Sequence, residues 1–400
     1  MKQLIKGDKV LWGLLALLAV FSFLPIFSAS SNLAYVLGKG TPWGHLLKHF
    51  IILGLGFLFM LFIHKIPFHY FKGISVLMLP IVLILLLYTI TQGTSIAGAN
   101  ASRWVQIPII GLSFQSSALA SVVLMIYTAF YLAKNKDHPP NFKSSLLPLW
   151  IPVFLVVLLI LPANLSTAVL IFMGVCILCF VGHYPIRHLL AIMGFGIVLL
   201  AFFFLLAKSF PEVIPNRVDT WMHRIEAFFE NDAKSESYQV EQAKIAIASG
   251  SIFGMGAGKS MMKNFLPHSS SDFIYAIVVE EFGLIGGIGL IIVFMLLLFR
   301  IIVIIHKTQD VFGKLMTFGL GIPIILQAFV NIGVALNVFP VTGQTLPMIS
   351  SGGTSAWMTC ISFGIILSVT AANQKQQDAA ATETFEADSE NPIAILSETT

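Results

Sequence analysis

Apolar runs of about twenty residues, each long enough to cross a bilayer as a helix, recur along almost the whole chain between short polar breaks. They predict an all-α, polytopic membrane protein with ten spans, at about 10–27, 50–66, 74–92, 113–133, 145–162, 166–182, 188–207, 273–305, 312–336 and 354–372. The first run follows Lys2, Lys6 and Lys9 and ends at Ser28, Ala29 and Ser30, a layout shared with signal peptides. Its length, and the many spans after it, favour a retained first helix. The one long break, 208–271, places Val218, Trp221, Met222, Ile225, Phe228 and Phe229 at helical spacing, with Arg217, Asp219, Arg224 and Glu226 between them. That pattern fits an amphipathic helix lying on the membrane surface or one packed on neighbouring spans. Beyond residue 372 the chain turns polar and acidic, which predicts a disordered tail over 373–400.

Composition strengthens this picture. With 57% hydrophobic and 10% charged residues over 400 positions, a soluble protein is excluded. The few charges then set orientation, because Lys and Arg concentrate in short cytoplasmic loops. With the N-terminus inside, thirteen Lys or Arg fall in the inner segments, against only Lys39, Lys48 and Arg103 in the short outer loops. Both termini are therefore expected in the cytoplasm and 208–271 outside. The net charge of +4 is spread over loops, with no block that would bind nucleic acid. Cys176 and Cys179 form a C-x-x-C inside an apolar run, where small-residue packing outweighs redox or zinc chemistry.

Candidate chemistry gathers between Gly250 and Gly287, where Lys259, Lys263, His268, Asp272, Glu280 and Glu281 sit at the mouth of an apolar span. Ionisable groups at a membrane boundary are costly and point to function. A helix starting near Asp272 would put Ala276, Val279 and Glu280 on its face and turn Glu281 away. The competing explanation is a helix cap, since Ser269, Ser270, Ser271 and Asp272 are all good capping residues. Gly254-Met-Gly-Ala-Gly-Lys-Ser260 mimics a phosphate-binding loop, but its first required glycine falls on Phe253 and no strand precedes it. Tight turning beside the membrane explains those glycines better. The uncharged run Pro340–Ser355 ends in Gly352-Gly353-Thr354 at the start of the last span. A helix N-terminus of that kind can hold an anion, although a rigid turn with a capping hydroxyl needs no ligand.

Several of these stretches occur together in one known family. Arg103-Trp104 before Phe114-Gln115, Tyr238-Gln239-Val240, Leu266-Pro267 through Asp272-Phe273 to Glu280-Glu281-Phe-Gly, and the Pro-Val-Thr-Gly to Ser-Gly-Gly-Thr-Ser run resemble SEDS proteins. These are the shape, elongation, division and sporulation glycosyltransferases of bacterial wall synthesis. The resemblance covers about residues 8–372, and Asn331-Ile-Gly-Val334 is closer to the division branch than to the elongation branch. It implies polymerisation of lipid II into glycan strands on the outer face of the cytoplasmic membrane, at the division septum. It also implies a class B penicillin-binding protein as partnered transpeptidase, alongside other membrane proteins of the division machinery. The family's essential carboxylate matches Asp272, as the base that takes a proton from the acceptor sugar. The candidate substrate-contacting set is Arg103, Gln239, Lys259, Lys263, Glu280, Ser350, Gly352, Gly353 and Thr354, with Arg217 and Arg224 behind it. Holding the leaving diphosphate calls for positive side chains or a divalent cation such as Mg2+ or Mn2+; no resident cofactor and no metal ligand set follow from the sequence.

The chain also departs from the family pattern. Ser116, Ser117, Ala118 and Ser121 stand where the family reads Pro-Ser-Glu and then Lys, so a charged pair is missing as a unit. Pro162-Ala-Asn164-Leu-Ser-Thr167 replaces a Gln-Pro-Asp-Leu-Gly-Thr run, and the usual histidine position is Ser270, not His268. These losses keep a non-catalytic scaffold open as a reading. A lipid-linked oligosaccharide flippase is the rival from another class, and it would need polar groups through the midplane.

Overall fold

The computed structural model describes residues 6–35, 41–92, 104–107, 112–137, 141–209, 221–222, 224, 228, 235–266 and 270–390. Its apolar helices are α1 (Lys9–Tyr35), α2 (Pro42–Ile63), α3 (Tyr70–Gln92), α4 (Ser116–Lys134), α5 (Phe142–Ile160), α6 (Leu165–Val181) and α7 (Ile186–Ser209). After α8 (Ser235–Gly250) come α9 (Ile274–Lys307), α10 (Val311–Ala335) and α11 (Thr354–Glu390). Among the described residues nine helices are long and apolar enough to cross a membrane, and α6, at 17 residues, is the tenth apolar helix. The span expected from 113 is shortened at its start. Leu112–Gln115 is a strand, β2, paired antiparallel with β1 (Trp104–Ile107) in the register Trp104↔Gln115.

Local chemistry starts the helices. Thr41 accepts from the Gly44 N–H ahead of Pro42 at the head of α2, and Asp310 accepts from Gly313 N–H at the head of α10, each satisfying a donor that a helix start leaves open. Small residues then set the packing, as membrane helices require when apolar contact with lipid is equally good. A Cβ at Gly56 of α2 would lie 2.8 Å from Cys360 Sγ of α11. α10 and α11 are the most buried spans and form the centre, while α7 lies largely exposed at the edge. At the end holding both termini, Arg300 Nε donates to both Asp8 carboxylate oxygens at 2.9 and 2.8 Å, and Asp8 N–H donates to Thr370 Oγ1. These bonds join the start of α1 to the last turns of α9 and the middle of α11.

The glycine-rich stretch has a backbone explanation. α9 is broken at Gly283, whose φ of 70° no ordinary residue adopts cheaply. The broken turn is closed by the loop after α8: Leu284 and Ile285 N–H donate to Ser251 and Ile252 carbonyls, and Met255 and Gly256 N–H donate to Glu280 and Glu281 carbonyls. The approach is so close that a Cβ at Gly283 or Gly254 would lie 2.2 Å from a facing carbonyl oxygen.

One expectation fails here, and one open alternative is decided. The tail does not lose structure at 373, because α11 continues to Glu390. Gln374–Glu383 is rich in Ala, Gln, Lys and Glu, good helix formers that extend an already nucleated helix at little cost. Residues 391–400 lie outside the described residues. Trp221 is not spread on the membrane surface: it is buried against Leu165, Phe203, Phe204 and Met222, so this segment packs on α6 and α7. Val218, Ile225 and Phe229 lie outside the described residues.

Candidate active site

At the end of the bundle away from Arg300 and Asp8, the heads of α4, α6 and α11 and the middle of α10 surround a cavity of about 470 Å³. The Pro340–Ser355 segment folds across it. Asp272, Arg224, Gln239, Ser350 and Gly352 line it, and Asp272 and Arg224 are the charged groups among the described lining residues. Deeper in, the walls are neutral: Ser117, Ala118, Ser121, Thr359 and Ser362, with Met125 and Ile324 below. Pro323 and Gly319 both face the cavity. A proline has no N–H for the carbonyl four residues back, so the Gly319 carbonyl is an acceptor at membrane depth. The missing charged pair therefore falls on the wall, and the wall there presents hydroxyls.

Asp272 stands just outside α9. Phe273 is the N-cap residue, at φ −113° and ψ 21°, and makes no side-chain capping bond. Asp272 thus occupies no N-cap position and is half-buried at the cavity. Its backbone is pinned from below, where Asn331 Nδ2 donates to the Asp272 carbonyl at 2.8 Å and to the Gln344 carbonyl at 2.7 Å. Beside it Ser350 Oγ donates to the Ser271 carbonyl at 2.6 Å, and Ser351 N–H donates to the Ser270 carbonyl. Arg224 arrives from a helical segment anchored one turn earlier by Trp221.

Glu280 does not join this group. It is fully buried and holds the loop at 260–262: Ser260 Oγ donates to Oε2, and the Met261 and Met262 N–H groups donate to Oε1 at 2.8 and 3.1 Å. Glu281 is buried beside it and accepts from Ser28 Oγ of α1. The helical-face argument that joined Glu280 to Asp272 fails because the helix begins only at Ile274, after a non-helical residue. Lys263 belongs to the same clasp, donating to the Gly258 carbonyl at 2.8 Å, and Lys259 is exposed on the loop. Neither lysine lines the cavity. Gly353 and Thr354 are likewise set back. Thr354 Oγ1 accepts from Gln115 N–H at 3.1 Å, and the first N–H groups of α11 at Ser355 and Ala356 already bond the Gly352 and Gly353 carbonyls. Arg103, Arg217 and His268 lie outside the described residues. Sequence reasoning missed Asn331 as a site residue, although it stood within a motif used for classification, and ranked Arg224 behind the lysines.

Among the described residues no three His, Cys, Asp or Glu side chains are grouped to hold a metal ion.

Ten apolar helices, and among them a half-enclosed cavity whose described lining carries one carboxylate and one guanidinium, define a multi-pass membrane protein with a polar site within its bundle. The family model for the cell cycle proteins FtsW, RodA and SpoVE matches residues 8–375, and the chain belongs to that family. It is 30% identical to the probable peptidoglycan glycosyltransferase FtsW of Nitrosococcus halophilus, over 82% of this chain and 84% of that protein. With the protein of the same description from Geobacter metallireducens it shares 31% identity, over 92% and 96%. Among solved structures it is similar to a chain from a study of how a peptidoglycan synthase complex coordinates polymerization and crosslinking (TM-score 0.67, 26% identity, 92% of this chain and 98% of that one). It is also similar to the rod shape determining protein RodA of Thermus thermophilus (TM-score 0.63, 25% identity, 91% and 96%).

Proposed function

We propose that this chain is a peptidoglycan glycosyltransferase that polymerises lipid II into glycan strands on the outer face of the cytoplasmic membrane during septal wall synthesis. The observation that carries this reading is the pairing, in one cavity, of a carboxylate, Asp272, with a guanidinium, Arg224. Asp272 takes the proton of the acceptor sugar hydroxyl as that oxygen attacks the donor anomeric carbon. The bond from that carbon to the lipid diphosphate breaks, and the electron pair leaves with the diphosphate. Arg224 offsets the charge that develops there. The neutral hydroxyl walls contact sugar and peptide groups.

The bias of Lys and Arg supports cytoplasmic termini and an outward-facing cavity. A class B penicillin-binding protein as transpeptidase partner, and membership of the division machinery, fit the relatives' descriptions. A divalent cation, if used, would be held by Asp272 and the substrate's own phosphates, a common mode for Mg2+. A transporter is disfavoured by the floor, where Met125 packs so tightly on α6 that a Cβ at Gly174 would lie 2.7 Å from its Cε.

The test is purified protein with lipid II, with and without a single-span transpeptidase partner, across a divalent ion titration. Glycan polymer that needs Asp272 and grows with the partner is expected. A preparation that moves lipid II across vesicles without polymerising it would replace the enzyme with a flippase. Inertness in every arm would leave a scaffold.

A further inference from the structure

From the bond pattern beneath Asp272 we infer that Asn331 is the positioning residue of this site, acting through Asp272 rather than on substrate; the inference rests on Asp272 serving as the base. Asn331 is 1% exposed, near the end of α10, and does not line the cavity. Its amide nitrogen spends one hydrogen on the Asp272 carbonyl and the other on the Gln344 carbonyl, at 2.8 and 2.7 Å. Both partners are carbonyl oxygens, so only the nitrogen can face them, and no flipped amide would serve. The amide oxygen is left buried without a partner. The end of this side chain that makes hydrogen bonds is therefore its nitrogen.

That nitrogen joins two segments that are far apart in sequence. One carries the carboxylate; the other carries Ser350 and Gly352 into the cavity. The Gln344 segment is anchored again elsewhere, so the fork ties the Asp272 backbone to a fixed point. Gln344 Nε2 donates to Thr167 Oγ1 of α6 at 2.9 Å. Gln327, one turn before Asn331 on α10, donates to the Thr345 carbonyl at 2.8 Å. Asn331 is itself held firm, because α10 ends in a tight turn where Val338 N–H donates to the Gly333 carbonyl at 2.7 Å. Asp272 lies outside any helix, so helical bonding does not fix its backbone. Removing the fork takes away a backbone tie at Asp272, and a shift of its carboxylate by about 1 Å against the bound sugar costs on the order of 10²-fold in rate.

The experiment uses the full chain with its partner, comparing wild type with Asn331→Ala and Asn331→Asp. The aspartate keeps the shape but aims oxygens at two carbonyls. Turnover on lipid II is expected to fall roughly 10²-fold with KM within about threefold. Hydrogen exchange supplies a readout independent of activity. Amides of 270–273 and 344–351 should exchange about tenfold faster while α4 stays protected. Should both variants fail to accumulate, Ser350→Ala removes the parallel tie to the Ser271 carbonyl and should give the same split. Unchanged turnover and protection would overturn the clamp, as would a loss of protection spread evenly over α4 and α10. Lipid II left unpolymerised by wild type would instead count against the enzymatic reading, with the exchange data still deciding the clamp.

Discussion

Replacing Asp272 with Asn separates a base from a structural carboxylate with almost no change in volume. Capping would be worth about 0.5–2 kcal/mol, but Phe273 holds the N-cap position, so the cap contributes nothing to the comparison. The bond from Asn331 reaches the backbone carbonyl of residue 272 and survives the change. Folding and membrane level should therefore match wild type. Chemistry should not, since an amide cannot accept the proton, and the expected loss is about 10²–10⁴ in turnover. That corresponds to roughly 2.7–5.5 kcal/mol on the barrier. The assay is glycan polymer formed per folded molecule, read by gel, with KM measured beside it. Turnover within about threefold of wild type would refute the base assignment. A loss reversed by higher divalent ion concentration would make Asp272 a metal-binding group instead.

Three further outcomes follow from the packing. Glu280→Ala orphans three donors in the 260–262 loop and should cost about 2–4 kcal/mol, seen as a lower unfolding temperature with activity per folded molecule retained; Glu280→Gln should cost under about 1 kcal/mol, and a selective loss of turnover in it would return Glu280 to the site. Gly283→Ala combines a φ of 70° with a Cβ 2.2 Å from the Ile252 carbonyl, whereas Gly258→Ala, at φ 77°, meets nothing within 4 Å; the first should unfold well before the second, which bears only about 1–3 kcal/mol of backbone strain, and equal unfolding temperatures would refute the loop closure. Trp221→Ala removes a 4% exposed side chain and should loosen the segment carrying Arg224, lowering turnover about tenfold, while Trp221→Phe holds it; Trp221 fluorescence already quenched by aqueous iodide in wild type would contradict the buried placement.

The membrane spans and the ionisable cluster beside α9 were legible in the sequence for one physical reason: both signals are local. Bilayer thickness dictates the length of each apolar run, and a charge placed against such a run stands out because burying it is costly. The ionisable cluster from Lys259 to Glu281 and the glycine-rich turn before α9 could therefore be marked before any coordinates, and the family resemblance then picked Asp272 out of the cluster. The composition of the cavity was decided elsewhere. Gln115, Asn164, Arg224, Gln327 and Gly352 line one space only because the heads and tails of separate helices converge, and the small residues that let helices approach carry no mark of which helix they meet. Helical spacing alone joined Glu280 to Asp272; one non-helical residue, Phe273, parted them. Lys259 and Lys263 were nearer to Asp272 in sequence than Arg224, yet it was Arg224 that tertiary packing brought into the cavity, because the buried Trp221 anchors its segment on α6 and α7.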